Sequence, residues 1–218
     1  MKCRLTKITA LILSLTMMWG CNRPQPSKVQ VTTNQGAFVI NLYEETDQYR
    51  KNFINLVSEG FYDSLLFHRI LPDVIIQGGD PESRNAPKGK FLGRGGVDYT
   101  IASDFRYVHT YGAVSGARLS NEVNPRKESS GSQFFIVIGY PVTDEDLDRI
   151  EQEKGFKYTP EQRRLYKLVG GIPQFDKEYS VFGEVTDGMD VVKKISRMPR
   201  DANDRPEKDV LMTMKITD

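Results

Sequence analysis

The sequence predicts a mainly β fold, a closed antiparallel barrel or sandwich. β-prone runs dominate the chain, and the two clear amphipathic helices stand far apart, near residues 47–58 and 189–197, so strands and helices do not alternate as a βαβ fold requires. The 18 glycines, many of them in loop-like stretches, agree with a fold of strands and tight turns.

The elements follow in order. Runs 29–33 and 37–42 are β-prone and are separated by Asn34, Gln35 and Gly36, turn residues that make them a hairpin. Thr46 is placed to N-cap a helix over residues 47–58. There Tyr49, Phe53, Leu56 and Val57 recur at i, i+4, i+7 and i+8 on one apolar face, and Gly60 is placed to end it. Residues 65–71 and 74–77 are strands broken by Pro72 and Asp73, and 78–109 is Gly-rich and reads as mostly loop. Strands at 113–117, 134–138 and 181–185 follow, then the helix at 189–197. The last strand, 210–216, alternates with Val210, Met212, Met214 and Ile216 on one face.

Residues 140–172 interrupt this pattern. Thr143 with Asp146 marks a helix start, and Thr159-Pro160-Glu161-Gln162 a stronger one, with an N-cap Thr, Pro at the first helical position and Gln at the third. Two charged helices are therefore expected between two strands, outside the barrel, as a solvated decoration.

The first 20 residues read as an export signal. Lys2, Arg4 and Lys7 form a basic start, and residues 8–20 are an uncharged, mostly apolar run that is too short to span a membrane comfortably. The run ends in Gly20-Cys21, a small residue directly before a Cys, which resembles a bacterial lipoprotein signal. Cleavage before Cys21 with lipid on its sulfur is expected, then a polar tether to residue 28 and one domain over 29–218. This places the protein outside the cytoplasm, anchored to a membrane of the cell envelope and facing the periplasm. The other cysteine, Cys3, lies in the signal, so the processed chain has no free thiol for a disulfide or a zinc site. The net charge is +1, and −2 once the first 20 residues and their three cations are gone, so nucleic acid is not an expected partner.

Common enzyme constellations are missing from the sequence. No Gly-x-Ser-x-Gly elbow surrounds a serine, and only His68 and His109 are available as bases or metal ligands. Gly93-x-Gly95-Gly96 lacks the strand–helix setting of a phosphate loop, and the acids at 144–148 read as a solvated helix face. More unusual is Phe67-His68-Arg69-Ile70, followed by Val74-Ile75-Ile76-Gln77-Gly78-Gly79-Asp80. An arginine inside an apolar β-run needs either solvent or a partner. Gln77 is polar in a similar run, and a second cluster is Ser130-Gly131-Ser132-Gln133-Phe134-Phe135.

These runs, in this order and followed by Val181-Phe182-Gly183-Glu184-Val185, resemble the cyclophilin family of peptidyl-prolyl cis–trans isomerases, from about Val29 to Ile216. The resemblance implies a closed antiparallel barrel of about eight strands with a helix over each open end. It implies an enzyme that uses no metal or cofactor and acts on proline-containing polypeptides; a monomer is expected, although the sequence does not determine the oligomeric state. It places Arg69 at the catalytic arginine and Gln77 at the glutamine that holds it. Phe135 falls at the floor of the proline pocket, with Gln133, Ala117 and Arg118 along the groove that takes the peptide main chain. Phe67 and His68 belong to the same motif and are expected to line the site. Val74, Ile75, Gln174, Phe175 and Tyr179 stand at pocket positions where the family usually has Phe, Met, Trp, Leu and His. The rival reading is a barrel of the same kind that binds or chaperones chains without turning them over.

Overall fold

The structure is a computed structural model that describes residues 27–217. The signal segment and the proposed lipid site Cys21 lie outside the described residues.

Six elements lead to the first half of the barrel: β1 (Lys28–Thr33), β2 (Gly36–Leu42), α1 (Asp47–Ser58), β3 (Leu65–Leu71), β4 (Ile75–Gly78) and the short β5 (Thr100–Ile101). The rest are β6 (Ala113–Gly116), β7 (Ser129–Ser130), β8 (Phe134–Val137), α2 (Asp144–Lys154), α3 (Pro160–Val169), β9 (Val181–Asp187), α4 (Met189–Ser196) and β10 (Leu211–Thr217). Eight strands close an antiparallel barrel in the order β1-β10-β3-β4-β8-β6-β9-β2, and β2 returns to β1. β5 and β7 form a separate two-stranded sheet. Closure removes exposed strand edges, which an open sheet of this size would leave unpaired.

Alternation fills the interior. Val29, Val31, Phe38, Ile40, Phe134 and Ile136 point inward from their strands, and so do Val210, Met212 and Met214, the face read from the sequence. α1 adds Tyr49, Phe53, Leu56 and Val57 to the same core, and α4 adds Val192 and Ile195. The helices close opposite ends: α1 follows the Leu42 end of β2, while Val191 of α4 packs on Gly36 at the other. Gly36 has a φ of 135°, and a Cβ there would lie 2.8 Å from Val191, so this turn position requires glycine.

The entry to α1 differs from the expectation. Thr46 does not cap the helix; its hydroxyl donates to the carbonyls of Tyr43 (3.1 Å) and Phe182 (3.4 Å) from a preceding 3-10 turn. The barrel wall competes for that hydroxyl and wins. Gly60 does follow the helix in the left-handed conformation, φ 68°.

One irregularity sets the outer face. Across β3 and β4, Phe67 lies opposite Gly78 and Arg69 opposite Gln77, so two steps on β3 match one on β4. This is a β-bulge at His68. Leu65, Phe67 and Ile70 all enter the core, so the inward positions change parity across the bulge. On a regular strand Arg69 would share the face of Leu65 and Phe67 and be driven into the apolar interior. The bulge turns it outward.

The inserted helices form where the capping signals place them, and both capping boxes are closed. They are not a bare decoration. Val142, Leu147, Ile150, Tyr158 and Tyr166 make an apolar core of their own, with Val108 and Phe156 packed against it. Asp144 and Asp148 lie on the outer side and pair with Arg163, which also meets Glu151, a buried carboxylate that accepts from the Tyr158 main chain.

Candidate active site

The outer faces of β4, β8 and β6 carry a second apolar cluster. Along β8, Phe134 and Ile136 enter the barrel while Phe135 and Val137 point out of it. Phe135 lies opposite Gln77 of β4 and Ser115 of β6, at the centre of this wall. Ile75 and Ala117 pack beside it, and Val74, Phe175 and Tyr179 form a half-buried rim. Phe175 and Tyr179 meet Phe135 edge-on, with ring centroids 5.6 and 5.2 Å away, the favoured geometry for aromatic pairs. The His109 ring lies nearly parallel to Phe135 at 6.2 Å.

Arg69 stands beside this wall with a side chain 42% exposed. Its Nη1 donates to Gln77 Oε1 at 3.4 Å, Gln77 Nε2 donates to Gln133 Oε1 at 3.0 Å, and Gln133 Nε2 donates to the Gly95 carbonyl. An arginine can only donate, so the sense of the relay is fixed: each amide turns its oxygen toward Arg69 and its nitrogen away. From the other side Asp204 Oδ2 lies 3.6 Å from Arg69 Nε, while the other oxygen, Oδ1, pairs with Arg200. The guanidinium is thus held by groups that do not cover it.

A groove of about 620 Å³ opens next to the relay, lined by Gln77, Gln133, Ala117, Arg118 and the 93–97 loop. Three expectations are refined here. Ala117 cannot offer its main chain to a peptide, since its N–H donates to the Gln133 carbonyl and its own carbonyl accepts from Ser130. The main chain of Arg118, one residue on, has no hydrogen-bond partner among the described residues. The Arg118 side chain is spent: it donates to the Glu178 carbonyl and carboxylate and to the Leu119 carbonyl, and it lies over the Tyr179 ring at 4.9 Å. Gln133 has both amide atoms engaged and serves chiefly as a relay.

Two motif residues are misplaced by the sequence reading. Phe67 is fully buried in the barrel core against Phe38 and Phe134. His68, at the bulge, is buried beneath the 93–95 loop, and neither ring nitrogen has a partner among the described residues. Burial lowers its pKa to about 4, against the pull of the nearby Asp80 carboxylate. Motif membership placed both residues at the site, and the bulge sends them elsewhere. At the rim, Gln174 accepts from the Tyr140 hydroxyl at 2.5 Å.

One cluster was missed. Asp176, buried behind Phe175, accepts from the His109 main chain (2.9 Å) and His109 Nδ1 (2.7 Å), and from the hydroxyls of Tyr158 (2.7 Å) and Tyr166 (2.6 Å). Both tyrosine pKa values are raised, first by burial and then by the neighbouring carboxylate, so both hydroxyls keep their protons. The four residues are spread from 109 to 176 and share no periodicity, so no local pattern marks them.

The family model described as cyclophilin type peptidyl-prolyl cis-trans isomerase/CLD matches residues 28–216, nearly all of the described chain. The chain belongs to this family. Its cyclophilin relatives are moderately distant. A Streptococcus pyogenes protein, whose name joins a phosphatase to a peptidyl-prolyl cis-trans isomerase, is 33% identical over 195 residues, covering 88% of this chain and 39% of its own length. A peptidyl-prolyl cis-trans isomerase of Arabidopsis thaliana is 28% identical over 200 residues, 90% of this chain and 98% of that one. The crystal structure of a Cryptosporidium parvum cyclophilin shares the fold, with a TM-score of 0.62 at 22% identity over 89% of this chain and 99% of that one. That cyclophilin has also been solved in the presence of the dipeptide Ala-Pro.

Proposed function

We propose that this cyclophilin isomerises Xaa–Pro bonds of exported polypeptides, with Arg69 stabilising the twisted amide, from a position anchored to a cell-envelope membrane by lipid on Cys21. Amide resonance sets a barrier of ~18–20 kcal/mol to rotation. The cis and trans forms of an Xaa–Pro bond differ by only ~0.5–1 kcal/mol, so a catalyst acts on rate and hardly on position of equilibrium. At the twisted transition state the prolyl nitrogen loses conjugation and regains a lone pair. A guanidinium aimed at that nitrogen donates a hydrogen bond that the planar ground state accepts poorly, which is differential binding of the transition state.

The observation that carries this reading is the relay: Arg69 is fixed through Gln77 and Gln133 and left open beside the apolar wall of Phe135 and Ile75. Val74, Phe175 and Tyr179 form the rim that takes the proline ring, with Gln174 at its edge. The Arg118 main chain, without a partner among the described residues, offers a donor and an acceptor to the peptide backbone. The rotation needs no proton transfer, nucleophile or cofactor. Arginine suits the role because it stays charged and its planar fork is held rigidly.

The test is the isomerisation rate of a short Xaa-Pro peptide with wild-type and Arg69→Ala protein. The variant is expected to lose roughly a hundredfold in rate, the scale of removing one preorganised donor, while its affinity for the peptide changes little. Equal turnover by both proteins removes Arg69 from the chemistry. Binding without turnover by the wild type leaves a peptide-holding module.

A further inference from the structure

The insertion is tied by hydrogen bonds to the segment that bears the rim of the apolar wall. The insertion leaves the barrel after β8 and returns before β9, and its two ends meet at a neck. Tyr140 N–H donates to the Gly171 carbonyl at 3.2 Å and Gly171 N–H to the Tyr140 carbonyl at 2.9 Å. The Cβ of any residue replacing Gly139 would fall 2.6 Å from Gly171, so the neck is closed tightly. The barrel therefore does not need the helices to join its ends. What α2, α3 and the link between them add is a set of donors directed at residues 173–176. Tyr158 and Tyr166 hydroxyls donate to the Asp176 carboxylate, and Lys154 Nζ donates to the carbonyls of Gln174 (2.6 Å) and Asp176 (2.8 Å).

The segment that receives them bears the pocket rim. Phe175 precedes Asp176, and the main-chain N–H groups of Glu178 and Tyr179 both donate to the Phe175 carbonyl, which folds Tyr179 back beside Phe175. On its other side Asp176 holds His109, whose ring stacks on Phe135. The carboxylate is only 2% exposed, and all its donors at hydrogen-bond distance are neutral groups or an imidazole. A buried carboxylate keeps its place only while its lone pairs are satisfied. Two of its four hydrogen bonds come from the insertion.

We infer that Tyr158 and Tyr166 are positioning residues for the proline pocket: acting through Asp176, the insertion fixes Phe175 and Tyr179 against Phe135. This rests on the isomerase reading of the same wall. The rim contacts the proline ring in ground and transition states alike, so loosening it weakens peptide binding more than it slows rotation of the bound peptide. The effect is thus the opposite of that expected for Arg69→Ala.

The experiment compares wild-type protein with Tyr158→Phe, Tyr166→Phe and the double variant. NMR line shapes of a titrated Xaa-Pro peptide give its affinity and, separately, its exchange rate on the enzyme, at a temperature where near-UV circular dichroism shows each variant folded. Tyr→Phe removes the hydroxyl and keeps the ring that packs the insertion core. The double variant is expected to bind the peptide roughly tenfold more weakly, about 1.4 kcal/mol, with the bound exchange rate within about twofold of wild type, and each single variant to show part of that loss. If the double variant does not fold, the single variants carry the same comparison. A lower melting temperature with unchanged affinity overturns the proposal, since the hydroxyls would then serve stability alone. So does a fall in bound exchange rate with affinity kept. If wild-type protein does not exchange the peptide at all, it is the isomerase reading that fails, and the variants' relative affinities still test the link to the rim.

Discussion

Arg69 is held by Gln77, backed by Gln133, and by Asp204, and the role proposed for it depends on their leaving it uncovered. Gln133 has no need to touch the rotating bond to matter, because it orients Gln77. Gln133→Leu keeps a side chain of similar bulk just before β8 and removes the relay. It is expected to lower turnover several-fold, less than Arg69→Ala, with Arg69 still present; unchanged turnover in a peptide assay would leave Gln77 sufficient alone. His68 makes a different prediction. Its pKa falls from about 6.5 to about 4 on folding, because burial disfavours the cation. Between those values the unfolded chain binds more protons than the folded one, so stability falls as pH drops through this window and is fully present above it. The shift corresponds to a loss on the order of 3 kcal/mol by pH 4. Denaturant midpoints between pH 7 and pH 4 measure it, and His68→Leu should flatten that part of the slope. An equal slope in both proteins would assign the loss to other groups. Arg69 and Gln77 stood out in the sequence as polar residues inside apolar β-runs, whereas the roles expected of them, and the place of Phe135, came only from the resemblance to the family. The orientation of Phe67 and His68 was not legible, because it depends on a register shift against β4, and nothing within one strand encodes its partner's spacing.

Elements separate into those fixed locally and those fixed by packing. The strands and α1 are legible because alternation and the i, i+4 pattern record the direction of the core at each residue. The capping boxes of α2 and α3 are local as well: Thr143 and Thr159 each accept from the N–H three residues on, as the residue types suggest. Thr46 shows the limit of that reasoning, since the same residue type at a helix start gave its hydroxyl to strand β9 instead. The place of the insertion shows a further limit. Its charged composition reads as solvated, and much of its surface is. Yet the apolar residues of two short helices are enough for a small core, and two tyrosine hydroxyls are enough to tie that core to the wall of the site. Such ties join residues far apart in sequence and leave no period to detect. The bulge at His68 belongs to the same class. It is a single extra residue, and it decides whether the run Phe67-His68-Arg69-Ile70 buries a cation or presents one.

At the scale of the whole molecule, the chain reaches the barrel at Lys28, where β1 pairs with the Asn41 end of β2, the end that α1 closes. The site lies on the side wall, across β3, β4, β8 and β6, and not on either capped end. A tether that leaves from one end of the barrel therefore need not cover the groove. Six residues separate Cys21 from residue 28, and a fully extended chain gives at most about 3.3–3.6 Å for each, which holds the domain within a few nanometres of an anchored lipid. The net charge after removal of the first 20 residues is only −2, which gives little electrostatic attraction to an anionic bilayer, so retention at a membrane would rest on the lipid. One acyl chain binds only marginally and reversibly, and stable anchoring takes a second signal, so a firmly held protein implies more than one chain on the new N-terminus. The expected N-terminus is lipid-modified Cys21. Mass spectrometry of protein extracted from the membrane fraction tests this directly, and fluorescence gives an independent sign, because the only tryptophan, Trp19, would be removed by cleavage before Cys21. Mature protein should show tyrosine emission alone, and Cys21→Ser should leave the protein unprocessed, with Trp19 still attached. An unmodified N-terminus at any other residue, or tryptophan emission from the purified membrane form, would rule out lipid at Cys21 while leaving the isomerase domain as described.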